Sequence, residues 1–252
     1  MPGGAPAGLK LSNPRVQRVR RLLADRRARQ EERRFVVEGP TLVSEAVDAG
    51  WSIEAQFVAP GTDPVDGGGP VHELASGVAE RIADAQTPPG LFAVVAIPPT
   101  SADALAGAGF VVVADALADP GNLGTILRSA EAAGVEGVVL TPGTVDAFSP
   151  KVVRSSAGAV FHVPVIAGTL ADVAVAGLRL VGTSSHRGIS YVAADWRGRV
   201  AIVAGNEARG VADDAAIDEW VRIEHRGRAE SLNVAMAVTV LCFEVARRRD
   251  AP

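Results

Sequence analysis

Short runs of Val, Ile, Leu and Ala with almost no polar alternation recur through the second half of the chain, and they limit its fold more than any other feature. They lie at Phe110 to Ala114, Gly137 to Leu140, His162 to Val165, Arg179 to Thr183, Val200 to Ala204 and near Trp220 to Ile223. A strand with one wet face alternates apolar and polar residues. A strand that does not alternate is buried on both faces, as in a parallel sheet covered by helices. Between the runs, Gly121 to Ala133, Ser149 to Ala159, Leu170 to Ala176 and Ser231 to Arg249 read as helices. The expected class is therefore α/β, with a mostly parallel C-terminal sheet and helices on both faces. Hydrophobic residues make up 48% of the 252 but aromatics only 4%, so the core must be aliphatic.

The first half reads as a smaller α/β unit. Asn13-Pro14 is a helix start, with Asn as cap and Pro in the first turn. Val16, Val19, Leu22 and Leu23 then share one face. Phe35 to Glu38, Glu54 to Ala59 and Leu91 to Ile97 read as strands. Pro40 to Ala49 and His72 to Ala85 read as helices. The glycine-rich stretch from Gly61 to Pro70 is a loop. Pro98 to Gly109 is a connecting segment, so residues 1–98 and 105–252 are the expected domains.

Charge is uneven. The net charge is -4, yet residues 10–34 carry ten basic residues against three acidic ones. A solvated helix face explains such a run, and so does a phosphate-binding patch. The acidic remainder of the chain favours the patch. The lone Cys242 lies in an apolar stretch and excludes a disulfide framework or a thiolate metal site. The four histidines show no metal spacing, so no metal is expected. There is no P-loop, no GxGxxG fingerprint, no GxSxG elbow and no set of RNA-stacking aromatics. The N-terminus lacks the pattern of a secretory signal, and no apolar run could cross a bilayer, so the expectation is a cytoplasmic protein with no membrane partner.

Three polar motifs remain, each beside a predicted strand or helix. Asn122-Leu123-Gly124-Thr125-Ile126-Leu127-Arg128 follows the run at Phe110. Gly205-Asn206-Glu207-Ala208-Arg209-Gly210 follows the run at Val200. Glu230-Ser231-Leu232-Asn233 opens the last helix. Each alone is an ordinary cap or turn. Together they predict one site at the end of a parallel sheet. The last helix is apolar on nearly all sides, which calls for cover by a second body, most economically a second copy of the chain.

In this order and spacing the motifs resemble those of the SpoU family of RNA 2'-O-ribose methyltransferases, within the SPOUT superfamily. The matching positions are Asn122, Gly124 and Arg128; Gly205, Asn206, Glu207 and Gly210; and Ile223 with Ser231-Leu232-Asn233. Lys151 to Pro164, with Arg154, Ser155 and Gly158, is similar to the family's middle region. Asn13 through Phe35-Val36-Val37-Glu38-Gly39 to Pro89-Gly90 is similar to the substrate-binding domain, related to small ribosomal RNA-binding proteins, that is fused to ribosomal-RNA members. The resemblance implies a C-terminal trefoil knot, a homodimer through the C-terminal domain and S-adenosylmethionine as cofactor. It implies Thr183, Gly205, Asn206, Gly210, Ile223 and Leu232 around the cofactor, and Asn122, Arg128, Glu207, Ser231 and Asn233 at the reaction. Arg15, Arg18, Arg26, Arg33 and Arg154 are the RNA-binding candidates.

One departure stands out: Glu224-His225 replace the Pro-Met usual in the family after the position of Ile223. The implied reaction is methyl transfer to a ribose 2'-hydroxyl of structured RNA, with ribosomal RNA favoured by the N-terminal segment. A transfer-RNA enzyme and a catalytically silent RNA-binding assembly factor are the alternatives.

Overall fold

The computed structural model describes residues 8–83, 88–212, 215–228 and 230–249. Its contacts divide the chain into two compact units, residues 1–98 with 148–154, and residues 99–147 with 155–252.

The first unit opens with α1 (Pro14–Ala24), where the Asn13 side chain accepts a hydrogen bond from the Arg15 N–H at 2.9 Å. Val16, Val19 and Leu22 are buried, as the spacing predicts. The helix stops at Asp25, whose side chain caps a second helix, α2 (Arg26–Glu32). Then come β1 (Arg34–Glu38), α3 (Pro40–Asp48), β2 (Ile53–Val58), β3 (Val71–Glu73), α4 (Ala79–Ile82) and β4 (Leu91–Ala96). The sheet order is β1-β4-β2-β3, with β4 antiparallel to both neighbours and β3 parallel to β2.

The helix expected from His72 to Ala85 is corrected. Val71 to Glu73 form a strand against Gln56 to Val58, and only Ala79 to Ile82 are α-helical. Residues 84–87 lie outside the described residues. Leu74, Val78 and Ile82 all enter the core, and their four-residue spacing imitates a helical face. The Ala75-Ser76-Gly77 turn between them is what the pattern hides.

The second unit begins with a 3-10 turn at Ala102–Leu105. The elements that follow are β5 (Phe110–Ala114), α5 (Pro120–Ala132), β6 (Gly137–Leu140), α6 (Pro150–Ser156), whose residues up to Arg154 belong to the first unit, β7 (Val165–Ala167), α7 (Leu170–Val175), β8 (Arg179–Thr183), β9 (Ile189–Ser190), β10 (Val200–Ala204), β11 (Glu219–Arg222) and α8 (Val234–Arg249). The order is β7-β6-β5-β10-β8-β11-β9, and each described pairing is parallel. Every residue of β5 and β10 is buried, which explains their unbroken apolar runs. The strand read at His162 to Val165 is displaced: Ala159–Phe161 form a 3-10 turn, and pairing starts only after Pro164. Proline has no N–H to give to a ladder, and here its carbonyl accepts from Val138 at 2.8 Å instead.

The chain lays β6 and β7 on one side of β5 and then crosses to put β10 on the other, with β8 beyond it. That reversal makes a crevice at the carboxyl ends of β5 and β10, the place where open α/β sheets bind ligands. Helix α8 buries Ala235, Val238, Leu241, Cys242 and Val245. Its other side is open, with Met236 61% and Phe243 48% exposed. Burial pushes the Cys242 thiol up to about 12, so it is an inert core residue. No helix among the described residues is long and apolar enough to cross a membrane.

Candidate active site

The crevice is knitted by side chains from all three motifs. At the end of β10, Asn206 donates from Nδ2 to the Ala116 carbonyl at 2.9 Å, which ties the loop after β10 to the loop after β5. Its Oδ1 accepts from the N–H groups of Ala208 and Arg209, closing a tight turn. Gly210, at φ +68°, completes that turn in a conformation that L side chains rarely adopt. A Cβ on Gly205 would fall far inside contact distance of the Gly210 carbon and the Val211 nitrogen, both backbone. The first glycine is therefore required by the return of the chain, the second by its sign of φ.

Glu207 is the hub. Its carboxylate accepts from the N–H groups of Ala118 at 3.1 Å and Asp119 at 2.9 Å, and from Asn122 Nδ2 at 3.0 Å. Desolvation at the cavity wall works to raise its pKa, but the Asp119 N–H, the Asn122 amide and the Ala118 N–H outweigh it. Glu207 is held below the usual carboxylate range. Asn122 in turn accepts from Asn233 Nδ2 at 2.9 Å. Asn233 caps α8, its Oδ1 accepting from Ala235 and Met236. One hydrogen-bonded line thus runs from the entry of α8 through the entry of α5 to the loop after β10, across positions 233, 122 and 207.

Beside this line lies a cavity of about 730 Å³. Of the residues that the resemblance places at the site, Thr183, Gly205, Asn206, Glu207, Gly210, Ile223, Ser231, Leu232 and Asn233 all border it. Asn122 stands behind its wall, joined through Glu207 and Asn233. Arg128 does not border it: it is exposed on α5 and makes no side-chain hydrogen bond or ion pair among the described residues. Gly124, two turns closer to the crevice than the end of α5, is fixed by packing, since a Cβ there would stand 2.6 Å from the Ser155 Cβ.

Several wall residues escaped the sequence reading. The loop after β8 supplies Ser184 to Arg187, folded by hydrogen bonds from the His186 and Arg187 N–H groups to the Ser184 hydroxyl. The Arg187 guanidinium lies 3.5 Å from the Trp220 ring centroid, a cation–π contact. Arg209 and His225 also border the cavity. The available signal was positional: β8 neighbours β10, and the loop at its carboxyl end belongs to the same crevice. Glu224 is outside the lining. Its carboxylate takes a hydrogen bond from Ser190 and lies 3.9 Å from Arg222, and these contacts hold its pKa below the usual range. The departure from the family pattern therefore brings only His225 to the cavity. Among the described residues no group of three or more His, Cys, Asp or Glu could hold a metal ion.

The basic segment is more self-contained than its composition implies. Arg18 pairs with Glu32 and Glu54, and Arg21 with Glu32. Arg27 pairs with Glu31 at 2.7 Å, and Arg34 with Glu54 at 3.0 Å. Arg29 is buried and donates to the Leu22 carbonyl at 2.6 Å. Arg33 donates to the Pro98 carbonyl at 2.5 Å. Arg154 lies 3.5 Å from the carboxylate of Glu38. Arg15 and Arg26 remain exposed.

A parallel sheet with a glycine-walled crevice at its switch point defines an α/β protein built to take a small polar ligand. Comparison with known proteins is specific. Residues 109–243 match the SpoU rRNA Methylase family and residues 13–93 match the MRM3-like substrate binding domain. The 23S rRNA (guanosine(2553)-2'-O)-methyltransferase of Bacillus subtilis is 33% identical over 88% of this chain and 92% of its own. The 23S rRNA (uridine(2479)-2'-O)-methyltransferase of Streptomyces viridochromogenes is 30% identical over 97% of this chain and 94% of its own. Among solved structures, an AdoMet-bound rRNA methyltransferase from Sinorhizobium meliloti superposes with a TM-score of 0.85 at 31% identity, covering 97% of this chain and 99% of that one. The SpoU methyltransferase AviRb from Streptomyces viridochromogenes, in complex with AdoMet, gives 0.85 at 28% identity over 94% and 98%. The chain belongs to the SpoU family of methylases, which are S-adenosylmethionine-dependent enzymes.

Proposed function

We propose that this chain transfers the methyl group of S-adenosylmethionine to a ribose 2'-hydroxyl of structured RNA, with ribosomal RNA as the substrate class. The observation that carries this reading is the line of hydrogen bonds through Asn233, Asn122 and Glu207, which joins the family's three motifs along one cavity wall. The cavity suits the donor. Glycine at 205 lets the backbone of residues 210 and 211 return close against the wall, and the lining mixes aliphatic residues with polar and charged ones. When bound, S-adenosylmethionine supplies a methyl group already activated on a sulfonium.

The residues of the chain do the rest by position. Backbone at Gly205, Ile223 and Leu232 would hold the adenine and ribose, with Thr183 and Gly210 also lining the cavity. Asn206, Glu207, Ser231 and Asn233 fix the shape of the pocket. Holding two reactants in line is worth roughly 7–11 kcal/mol in well-oriented systems, so no covalent intermediate is needed. Arg128 is assigned to the RNA. A guanidinium does not surrender its proton in a protein, so its role is to clamp the adjacent phosphate and steady the developing alkoxide, not to act as base.

The same reading assigns residues 1–98 to RNA substrate binding and 105–252 to methyl transfer, in a cytoplasmic setting. It includes the trefoil knot, which rests on family likeness because topology rules disfavour knots. It also includes a homodimer through the C-terminal unit. Met236, Val240 and Phe243 form an exposed apolar stripe at helical spacing along α8. Helix α5 is linked to that helix by the Ser129 and Thr239 hydroxyls, 2.6 Å apart. Arg128, exposed on α5 and outside its own cavity, is proposed to serve the cavity of a second copy.

The test is transfer of label from tritiated S-adenosylmethionine to unmodified 23S ribosomal RNA, followed by mapping of ribose methylation. A single alkali-resistant ribose is expected. Label found only on bases, or none on RNA while the donor binds, contradicts the proposal.

A further inference from the structure

We infer that the N-terminal unit grips the RNA backbone in a groove between Lys10 and Arg81, and not along its arginine-rich helices. The inference rests on the proposed function and names the surface through which that function reaches its substrate.

Of the arginines of α1 and α2, Arg18, Arg21, Arg27 and Arg29 are engaged inside the unit, whereas Arg15 and Arg20 are exposed and make no ion pair among the described residues. Arg18, Arg21, Arg27 and Arg34 each face a carboxylate, Arg29 is buried against carbonyl groups, and Arg33 is bound to a carbonyl. Binding to polyanions gains from the release of counterions condensed on phosphates, in proportion to the phosphates neutralised. A guanidinium already matched by a carboxylate adds little net charge to that exchange.

Lys10 and Arg81 differ. Both are exposed, and neither side chain has a hydrogen-bond or ion-pair partner among the described residues. They stand 71 positions apart in the sequence yet border one groove of about 490 Å³. Among the described residues no carboxylate lines it. Between the two cations its walls carry the hydroxyl groups of Ser12 and Ser76, which can donate to phosphate oxygens. The two sides are held by backbone hydrogen bonds. The Leu9 N–H donates to the Glu73 carbonyl at 2.7 Å, and the Ala75 N–H donates to the Leu9 carbonyl at 2.9 Å. Arg15 extends the positive field. It lies near enough to His72, on the strand leading into the groove, to help burial hold that imidazole below its ordinary pKa. Two cations without acidic partners, flanked by hydroxyl donors, make a site for a phosphodiester.

The experiment compares two doubly substituted full-length proteins with equal net charge. Lys10→Gln with Arg81→Gln removes the groove cations. Arg21→Gln with Arg27→Gln removes two paired, exposed ones. Binding to unmodified 23S ribosomal RNA transcribed in vitro is measured between about 50 and 200 mM salt, a range chosen for phosphate binding. The groove variant is expected to lower the slope of log affinity against log salt by about 2, near one for each phosphate no longer neutralised. The helix variant is expected to keep the wild-type slope. Lys10→Arg with Arg81→Lys is expected to restore it, which separates charge from folding damage. Equal slopes for the groove and helix variants, or a wild-type slope for the groove variant, overturn the inference. Wild-type protein that binds RNA with the groove-dependent slope but transfers no methyl group overturns the proposed function and supports the groove.

Discussion

At the scale of single residues, Glu207 carries the most. Its carboxylate satisfies three N–H groups from the entry of α5, and a glutamine there can accept fewer of them. Leaving one donor unsatisfied costs roughly 1–3 kcal/mol, so Glu207→Gln is expected to weaken donor binding by about fivefold to a hundredfold by calorimetry. The pH dependence follows from its depressed pKa. A carboxylate held below its unfolded value stabilises the fold above that value, near 4.5, and loses the contribution as pH falls through the folded pKa. The stability gap between wild type and Glu207→Gln should therefore be full at neutral pH and shrink below about pH 4.5 in thermal melts. Gly124→Ala sets two effects against each other. Alanine gains up to about 1 kcal/mol of helix propensity, but its Cβ would press on Ser155. Overpacking of a tight contact outweighs that gain, so a lower melting temperature is expected. The Glu207 and Asn206 pair was legible in the sequence only as a motif. Which loop each would touch was not, because their partners at 116, 118, 119 and 122 are some 90 positions away.

At the scale of elements, the strands of the second unit were the most legible. Their unbroken apolar runs follow from burial on both faces, and β5, β6, β8 and β10 lie where the pattern puts them. Short edge elements were not. The two residues of β9 carry no period, and β3 was mistaken for helix because Leu74, Val78 and Ile82 mimic a helical face. Helix α8 is the instructive case. Its apolar residues run all round, and one side faces solvent in the single chain. Under the proposed homodimer, replacing Met236 and Phe243 with glutamate is expected to give a monomer in sedimentation equilibrium where the wild type is a dimer, while leaving the melting temperature of the monomer nearly unchanged. A variant that stays dimeric removes α8 from the interface.

At the scale of the whole molecule, sequence order and site geometry part company. The proposed donor cavity draws on segments near 183, 205, 223 and 231, with Asn122 hydrogen-bonded behind its wall, all in the second unit. Deleting residues 1–98 is expected to weaken RNA binding and leave S-adenosylmethionine affinity within about twofold, read by calorimetry and filter binding. The charge excess at residues 10–34 was legible as composition, but its ion pairs with Glu54 were not, because Glu54 lies outside the run.

The central claim is that three distant segments make one donor pocket. Titration calorimetry of S-adenosylmethionine against wild type and against Asn122→Ala, Gly205→Ala and Asn233→Ala tests it directly. The expected result is one site per chain and weaker binding in all three variants. Wild type that takes up no donor, or any one of the three that binds as tightly as wild type, contradicts it.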